Sequence, residues 1–549
     1  MQDDHPKHGA KAGRRRLGRA LFAAAATLVG TGAFAFSSGG VALAASGPVK
    51  GGTYTYDMEI APQCADPQVS PQFATYQLSR PVLDSLVASS NGKVYKPWLA
   101  TSWTISPNAE HYTFTLRQGV TFSDGTPFNA AAVKVNFDRI FNPATKSEYA
   151  RTLLGPYAGT TVLSPYKVEV NFTEGFNSFL YAASTANLGI QSPTALAKNP
   201  PCSPPVGSGP YIITSYNEQT GATLVNRPSY AWDPGTAKNK GAAYISKMVF
   251  NFVPDDTTRE GSLTSGQVDN IEAPPATDVA SLKSQGFQII DHPQPGGVYD
   301  LYISEKTAPW NNTKARLALR DALNVPGIIE ALYDGVYQPA WSPIAATTPG
   351  FNSAVVNSWH QNVKESEKLL AQLGYTKRDA AGYLVNSSGQ ELDGVLQGGD
   401  TREQREQLSL LIQQEEAKVG IKLTLDNSAA DQENIFTGDF AVTASAHVEA
   451  SPDILRLLFD SADFPGAGGL NYGQASFPQL DSWLNEATGS LNTALQDKLY
   501  GEAQKFIVDN AVSVPLYQEE TLNAATPKLK GITYDATGYV LYYDAWLAK

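Results

Sequence analysis

Apolar residues fall at every second position in one stretch and at every third or fourth in the next, and the two rhythms keep alternating. Tyr112, Phe114 and Leu116 alternate with Thr113, Thr115 and Arg117, the pattern of a half-buried strand. Asp124-Gly125 supplies a turn, and Asn129 is placed to cap a helix in which Val133, Phe137, Ile140 and Phe141 share one face. Val168, Val170 and Phe172 return to period two. Farther on, Thr401 can cap a helix with Leu408, Leu411, Ile412 and Val419 turned inward, and Gly420 stands where it should stop. Ile421, Leu423 and Leu425 follow at once as a strand. A last long helix carries Leu495, Leu499, Ala503 and Phe506, and Pro515-Leu516-Tyr517 is extended again. Helix and strand joined in this way predict mixed α/β lobes. No internal repeat is present, which argues against solenoids and propellers.

The first residues do not belong to that pattern. Arg14, Arg15, Arg16 and Arg19 form a basic block, followed by an Ala-rich apolar run from Leu21 to Phe36 and an A-x-A element at Ala42-Leu43-Ala44. This order reads as a cleaved secretory leader over residues 1–45 rather than a retained anchor. The arginines fit the general or the twin-arginine export route. No Cys stands near the cleavage element, so a lipoprotein anchor is not expected, and a periplasmic or extracellular product is. About five hundred residues remain, more than one hydrophobic core usually serves, so two or three lobes are expected.

The whole chain has 41 Lys and Arg against 53 Asp and Glu, a formal charge of −12. The leader holds six of the basic and two of the acidic residues, which leaves −16 on the remainder. An acidic surface repels nucleic acid and anionic membranes, so neither is an expected partner. The two cysteines, Cys64 and Cys202, both lie in Pro-rich segments beyond the leader. In an oxidising compartment such an isolated pair is expected to form a disulfide.

Missing chemistry narrows the function further. Beyond the leader, His111, His292, His360 and His447 are scattered, with no i, i+4 pair, and there is no HExxH. No GxSxG, no SxxK and no phosphate-cradling loop occurs. Adjacent carboxylates, Glu415-Glu416 and Asp255-Asp256, are the remaining route to a hydrolase, and such neighbours usually mark a solvated face. No catalytic residue, cofactor or metal ligand set is expected, and the chain is not expected to be an enzyme.

Several segments resemble the family-five extracellular solute-binding proteins of ATP-binding-cassette importers. Gly51-Gly52-Thr53-Tyr54-Thr55-Tyr56 is similar to the family's opening strand. Pro97-Trp98-Leu99-Ala100-Thr101-Ser102-Trp103, continued by the run from Tyr112 through Gly119 and Asp124 to Phe128, resembles its signature. Val206 to Tyr211, Pro254 to Arg259, Arg316 to Asn324 and Val514-Pro515-Leu516-Tyr517 match in the family's order. Gly119, Gly125 and Gly209 in these motifs read as turn residues, and Trp103, Phe114 and Phe128 as core.

The resemblance implies a two-lobed, type II periplasmic-binding-protein-like α/β fold of the large class, with a hinge between the lobes. The expected divisions are 46–80 for the first part of lobe one, 81–205 for an additional subdomain and 206–297 for lobe one continued. Residues 298–514 then form lobe two, and 515–549 return to lobe one. It further implies a monomer that closes on a peptide-like or other small solute and delivers it to a membrane permease. A nickel-chelate or opine-type binder of the same fold, a fold relative that has lost import, and a secreted carboxylate-pair hydrolase are the alternatives. Peptide binders of the family anchor the solute's amino group with an Asp; that position falls on Val448, beside Glu449. Either Glu449 substitutes or a free amino terminus is not recognised. Candidate solute contacts are Glu59, after the first strand, the flat side chains Tyr299, Trp341 and Tyr472, and the polar His447 and Glu449.

Overall fold

Tyr54, Tyr56 and Met58 turn into one core from the strand Thr53–Met58, the centre of a seven-stranded sheet. The computed structural model describes residues 47–549 apart from 148, 399–402, 427–434, 436 and 466–468. The leader and Thr401 lie outside the described residues. Thr53–Met58 pairs in parallel with Lys247–Phe252 on one side and Asn270–Glu272 on the other. The strand Glu520–Ala525 runs antiparallel beyond Asn270–Glu272, with Gln288–Pro293 outside it. Gly221–Asn226 and Tyr211–Asn217 complete the opposite edge.

A four-stranded antiparallel sheet holds Ala100–Ile105, His111–Leu116, Lys167–Phe172 and Tyr157–Ser164 in that order across the sheet. The helix Ala130–Phe141 covers it, and Asn129 accepts from the Ala132 N–H at 3.1 Å as its cap. Phe114, Phe137, Phe172 and Phe179 interlock edge to face beneath it and share one continuous core with the seven-stranded sheet. Gly119 and Gly125 have positive φ, as turn residues do. Gly209 has a different role. A Cβ there would lie 2.5 Å from the Val82 main chain, so its smallness permits two backbones to touch.

The second sheet is ordered Lys422–Asp426, Asp393–Gln397, Val442–Val448, Gly296–Ile303, Ser513–Tyr517. Every residue of Gly296–Ile303 is buried, because helices cover both faces. The helix Glu403–Val419 ends at Gly420, whose φ of +94° stops it before the next strand. The chain crosses between the two sheets twice, from Pro293 to Gly296 and from Tyr517 to Glu520. The strand Ser513–Tyr517 pairs within the second sheet, so the return expected at residue 515 begins only after Tyr517. Cys64 and Cys202 form a disulfide, and the Ala65 N–H donates to the Cys202 carbonyl beside it.

Candidate functional site: a cavity between two lobes

Strand ends bring polar groups to the gap between the sheets. Glu59 follows the last residue of Thr53–Met58, Glu272 ends its neighbour Asn270–Glu272, and Glu520 begins the adjoining strand. All three line a cavity of about 1070 Å³ between the lobes. The Glu272 carboxylate is held at both oxygens, by the Glu59 N–H at 2.8 Å and the Gln77 amide at 2.9 Å. Behind it the buried Arg259 guanidinium donates to the carbonyls of Glu272 and Ala273, at 2.9 and 3.0 Å, and to those of Val253 and Pro254. That fourfold grip fixes the turn presenting Glu272. Burial, with Asp291 and Glu519 nearby, pushes the Glu520 carboxyl up to about 7.

Rings make much of the wall. Tyr539 packs on Phe73 and Tyr76, with centroids 4.5 and 4.8 Å apart, and Tyr76 donates to the buried Asp535. From the second lobe, His447 stacks on Tyr472 at 5.5 Å and shares a 3.2 Å hydrogen bond with Ser445. Burial pushes the His447 imidazole down to about 4, so it meets a solute as a neutral group.

Among the described residues, the cations facing the cavity from this lobe are already paired. Arg405 bonds Glu519 at 2.6 Å and the Tyr517 hydroxyl at 3.1 Å, and lies 4.3 Å over the Tyr299 ring. Arg456 bonds Asp463 at 2.7 Å and Asp453 at 3.1 Å. The cavity therefore offers paired cations, neutral hydrogen-bonding groups and flat apolar surfaces from this lobe, opposite the Glu59, Glu272 and Glu520 carboxyls of the first, in a partly desolvated space where each retained polar contact is strengthened.

The structure places three of the six candidate contacts, Glu59, His447 and Tyr472, on the cavity wall. Glu449 lies next to the wall residue Val448, with its own side chain buried. It accepts from the Tyr149 hydroxyl at 3.3 Å, and burial pushes its carboxyl well above the usual range. Tyr299 and Trp341 are placed elsewhere. Tyr299 is buried against Tyr517, 5.0 Å between centroids, and Trp341 packs edge-on against Trp359 at 5.5 Å. Tyr299 belongs to the core between sheet and helices, and the half-buried Trp341 packs against the edge of that core. The sequence reasoning missed Tyr149, Tyr181, Tyr539 and Arg405. Arg405, one turn ahead of the apolar face that begins at Leu408, carried the only usable signal.

A cavity enclosed by two α/β lobes, with the chain crossing twice between them, defines a two-lobed solute-binding protein. The chain belongs to the bacterial extracellular solute-binding proteins, family 5, whose middle-region model matches residues 94–460. It is 28% identical over 442 residues to the glutathione-binding protein GsiB of Escherichia coli O157:H7, covering 79% of this chain and 82% of that protein. It is 27% identical over 527 residues to heme-binding protein A of Haemophilus influenzae, covering 89% and 91%. The ABC transporter-associated periplasmic binding protein DppA from Helicobacter pylori, solved with the peptide STSA, superposes with a TM-score of 0.78. That match, at 23% identity over 91% of this chain and 99% of the other, is a likeness of fold. Membership makes this chain the solute-binding component of an ATP-binding-cassette importer. Its relatives are binding proteins. Among the described residues no helix is long and apolar enough to cross a membrane.

Proposed function

We propose that the protein captures a peptide-like solute without anchoring a free amino terminus, and hands it unaltered to a membrane permease. The observation that carries this reading is the wall at residues 447–449. Val448 offers the cavity no charge, Glu449 is turned away onto Tyr149, and His447 is neutral. A buried ammonium there would lack its partner, at a cost of about 3–5 kcal/mol. Amide, hydroxyl and aromatic groups suit the ring-lined surface, the first lobe's Glu59, Glu272 and Glu520 face N–H donors of the solute, and the peptide and glutathione ligands of the relatives belong to that chemistry. The receptor acts as an exported monomer whose residues 1–45 are removed, with Glu59, His447 and Tyr472 among its solute contacts.

Native mass spectrometry of protein purified without unfolding should show a co-purifying small molecule of unchanged mass. Calorimetric titration with short peptides and their N-acetylated forms should give affinities within a few-fold of each other. A hundredfold loss on acetylation would restore the amine anchor and overturn the reading. So would conversion of the bound compound.

A further inference from the structure

Besides the two crossovers, the lobes meet along a second seam that forms part of the cavity wall. Tyr149, Gly175 and Phe176 approach it from the first lobe, and Val448, Thr488 and Gly489 from the second. The helix Pro478–Gly489 ends at this seam, and the last carbonyls of any helix lack partners within it. Here they are met by one residue of the other lobe. The Asn177 amide donates to the carbonyls of Ala487 at 2.9 Å and Ser490 at 2.7 Å, and the Asn177 backbone N–H donates to Thr488 at 3.1 Å.

Close approach continues on either side. The Ser178 and Ser451 hydroxyls lie 3.1 Å apart in a buried contact, and the Tyr149 hydroxyl reaches the Val448 carbonyl at 3.4 Å. Ala450, a second-lobe residue, is 1% exposed and packs into the core of the first lobe. A Cβ at Gly92 would stand 2.2 Å from the Ala450 carbonyl oxygen, and one at Gly175 would stand 3.0 Å from that of Gly489. No side chain fits between the lobes at these points.

We infer that Asn177 is an affinity-determining positioning residue, which caps a helix of the opposite lobe only when the protein is shut and so slows solute release. When the lobes part, water takes the place of Asn177 at the three carbonyls, two of which keep a partner in their own lobe, the Ser490 N–H on Ala487 at 3.2 Å and the Gln496 amide on Ser490 at 2.6 Å. The contact therefore favours the closed form only by its net worth, and it shifts the equilibrium by that difference alone. Two or three such bonds amount to roughly a tenfold change in dissociation. Because no atom of Asn177 is required to touch solute, the factor is the same for every solute. The inference rests on the solute-receptor reading for its effect on release.

Asn177→Ala should release each bound probe (glutathione, the tripeptide Ala-Ala-Ala and its N-acetylated form) about tenfold faster, with association rates and the rank order of probes unchanged. A Ser178→Ala, Ser451→Ala cycle should show coupling between the two residues. Hydrogen exchange of segments 173–180 and 484–491, followed in the same protein, should slow together when a probe binds and slow less in Asn177→Ala at the same probe occupancy. Wild-type release rates in Asn177→Ala, or a changed rank order, would overturn the proposal. Should no probe bind the wild type, the receptor reading fails for those chemistries and the proposal, which rests on it, falls with it.

Discussion

Ser513 donates its hydroxyl to Asp300 at 2.7 Å, joining two neighbouring strands in the buried middle of the second sheet. Asp300 is wholly buried, and burial pushes its carboxyl up to about 8, so at neutral pH it keeps its proton. A raised folded value means the unfolded chain gives up this proton first. The group's contribution is complete below about pH 4 and is lost as pH rises through about 8. Asp300→Asn, which copies the protonated shape, should match the wild type near pH 4. Its advantage should grow to the order of 3 kcal/mol by pH 8. Urea unfolding at several pH values checks this, and equal slopes with pH for both proteins would refute it.

His447 predicts the opposite slope. Its folded value near 4 lies below the usual 6.5, so the unfolded chain takes a proton first as the solution is acidified. Stability present above pH 6.5 should fall by about 1–3 kcal/mol on the way to pH 4, and His447→Gln should remove that part of the decline. The same melts should show the two curves parting only below pH 6.5.

Arg405 and Glu519 can be separated by a pair of variants. Arg405→Met leaves a mostly buried carboxylate without its cation and should cost about 2–4 kcal/mol. Adding Glu519→Gln should recover most of that stability. Solute affinity should not return with it, because Arg405 also faces the cavity. Thermal melts read the first effect and calorimetry the second. Full recovery of binding in the double variant would remove Arg405 from the site.

The Cys64–Cys202 bridge closes a loop 138 residues long in sequence. Replacing both with Ser should cost about 2–5 kcal/mol, most of it through a freer unfolded chain. Intact mass with and without reductant, followed by chemical unfolding of both forms, tests the bond and its worth.

Fold was far more legible in this sequence than site, and particular residues show why. Period-two runs such as Tyr112, Phe114 and Leu116 report which face of a strand is buried, which is what the architecture needs. Tyr299 sits in a strand whose every position is buried, so no alternation was available to say that its ring turns to the core. Trp341 looks the same in sequence whether it packs on Trp359 or on a solute. Glu59 was legible because it follows the first strand, and His447 because it lies in the segment that resembles the family's amine-anchoring stretch. Tyr539 reaches the wall from the far C-terminal segment, and only the folded chain brings it beside Phe73.

The two crossovers are themselves hydrogen-bonded, with the Gln294 N–H donating to the Glu519 carbonyl at 2.9 Å. Glu519 is in turn gripped by Arg405. Two strips laced side by side flex like a strap, readily about the line across both and poorly in torsion. The protein should therefore gape as a clam does, along a single arc, and bring the same opposing surfaces back into register at each cycle of uptake.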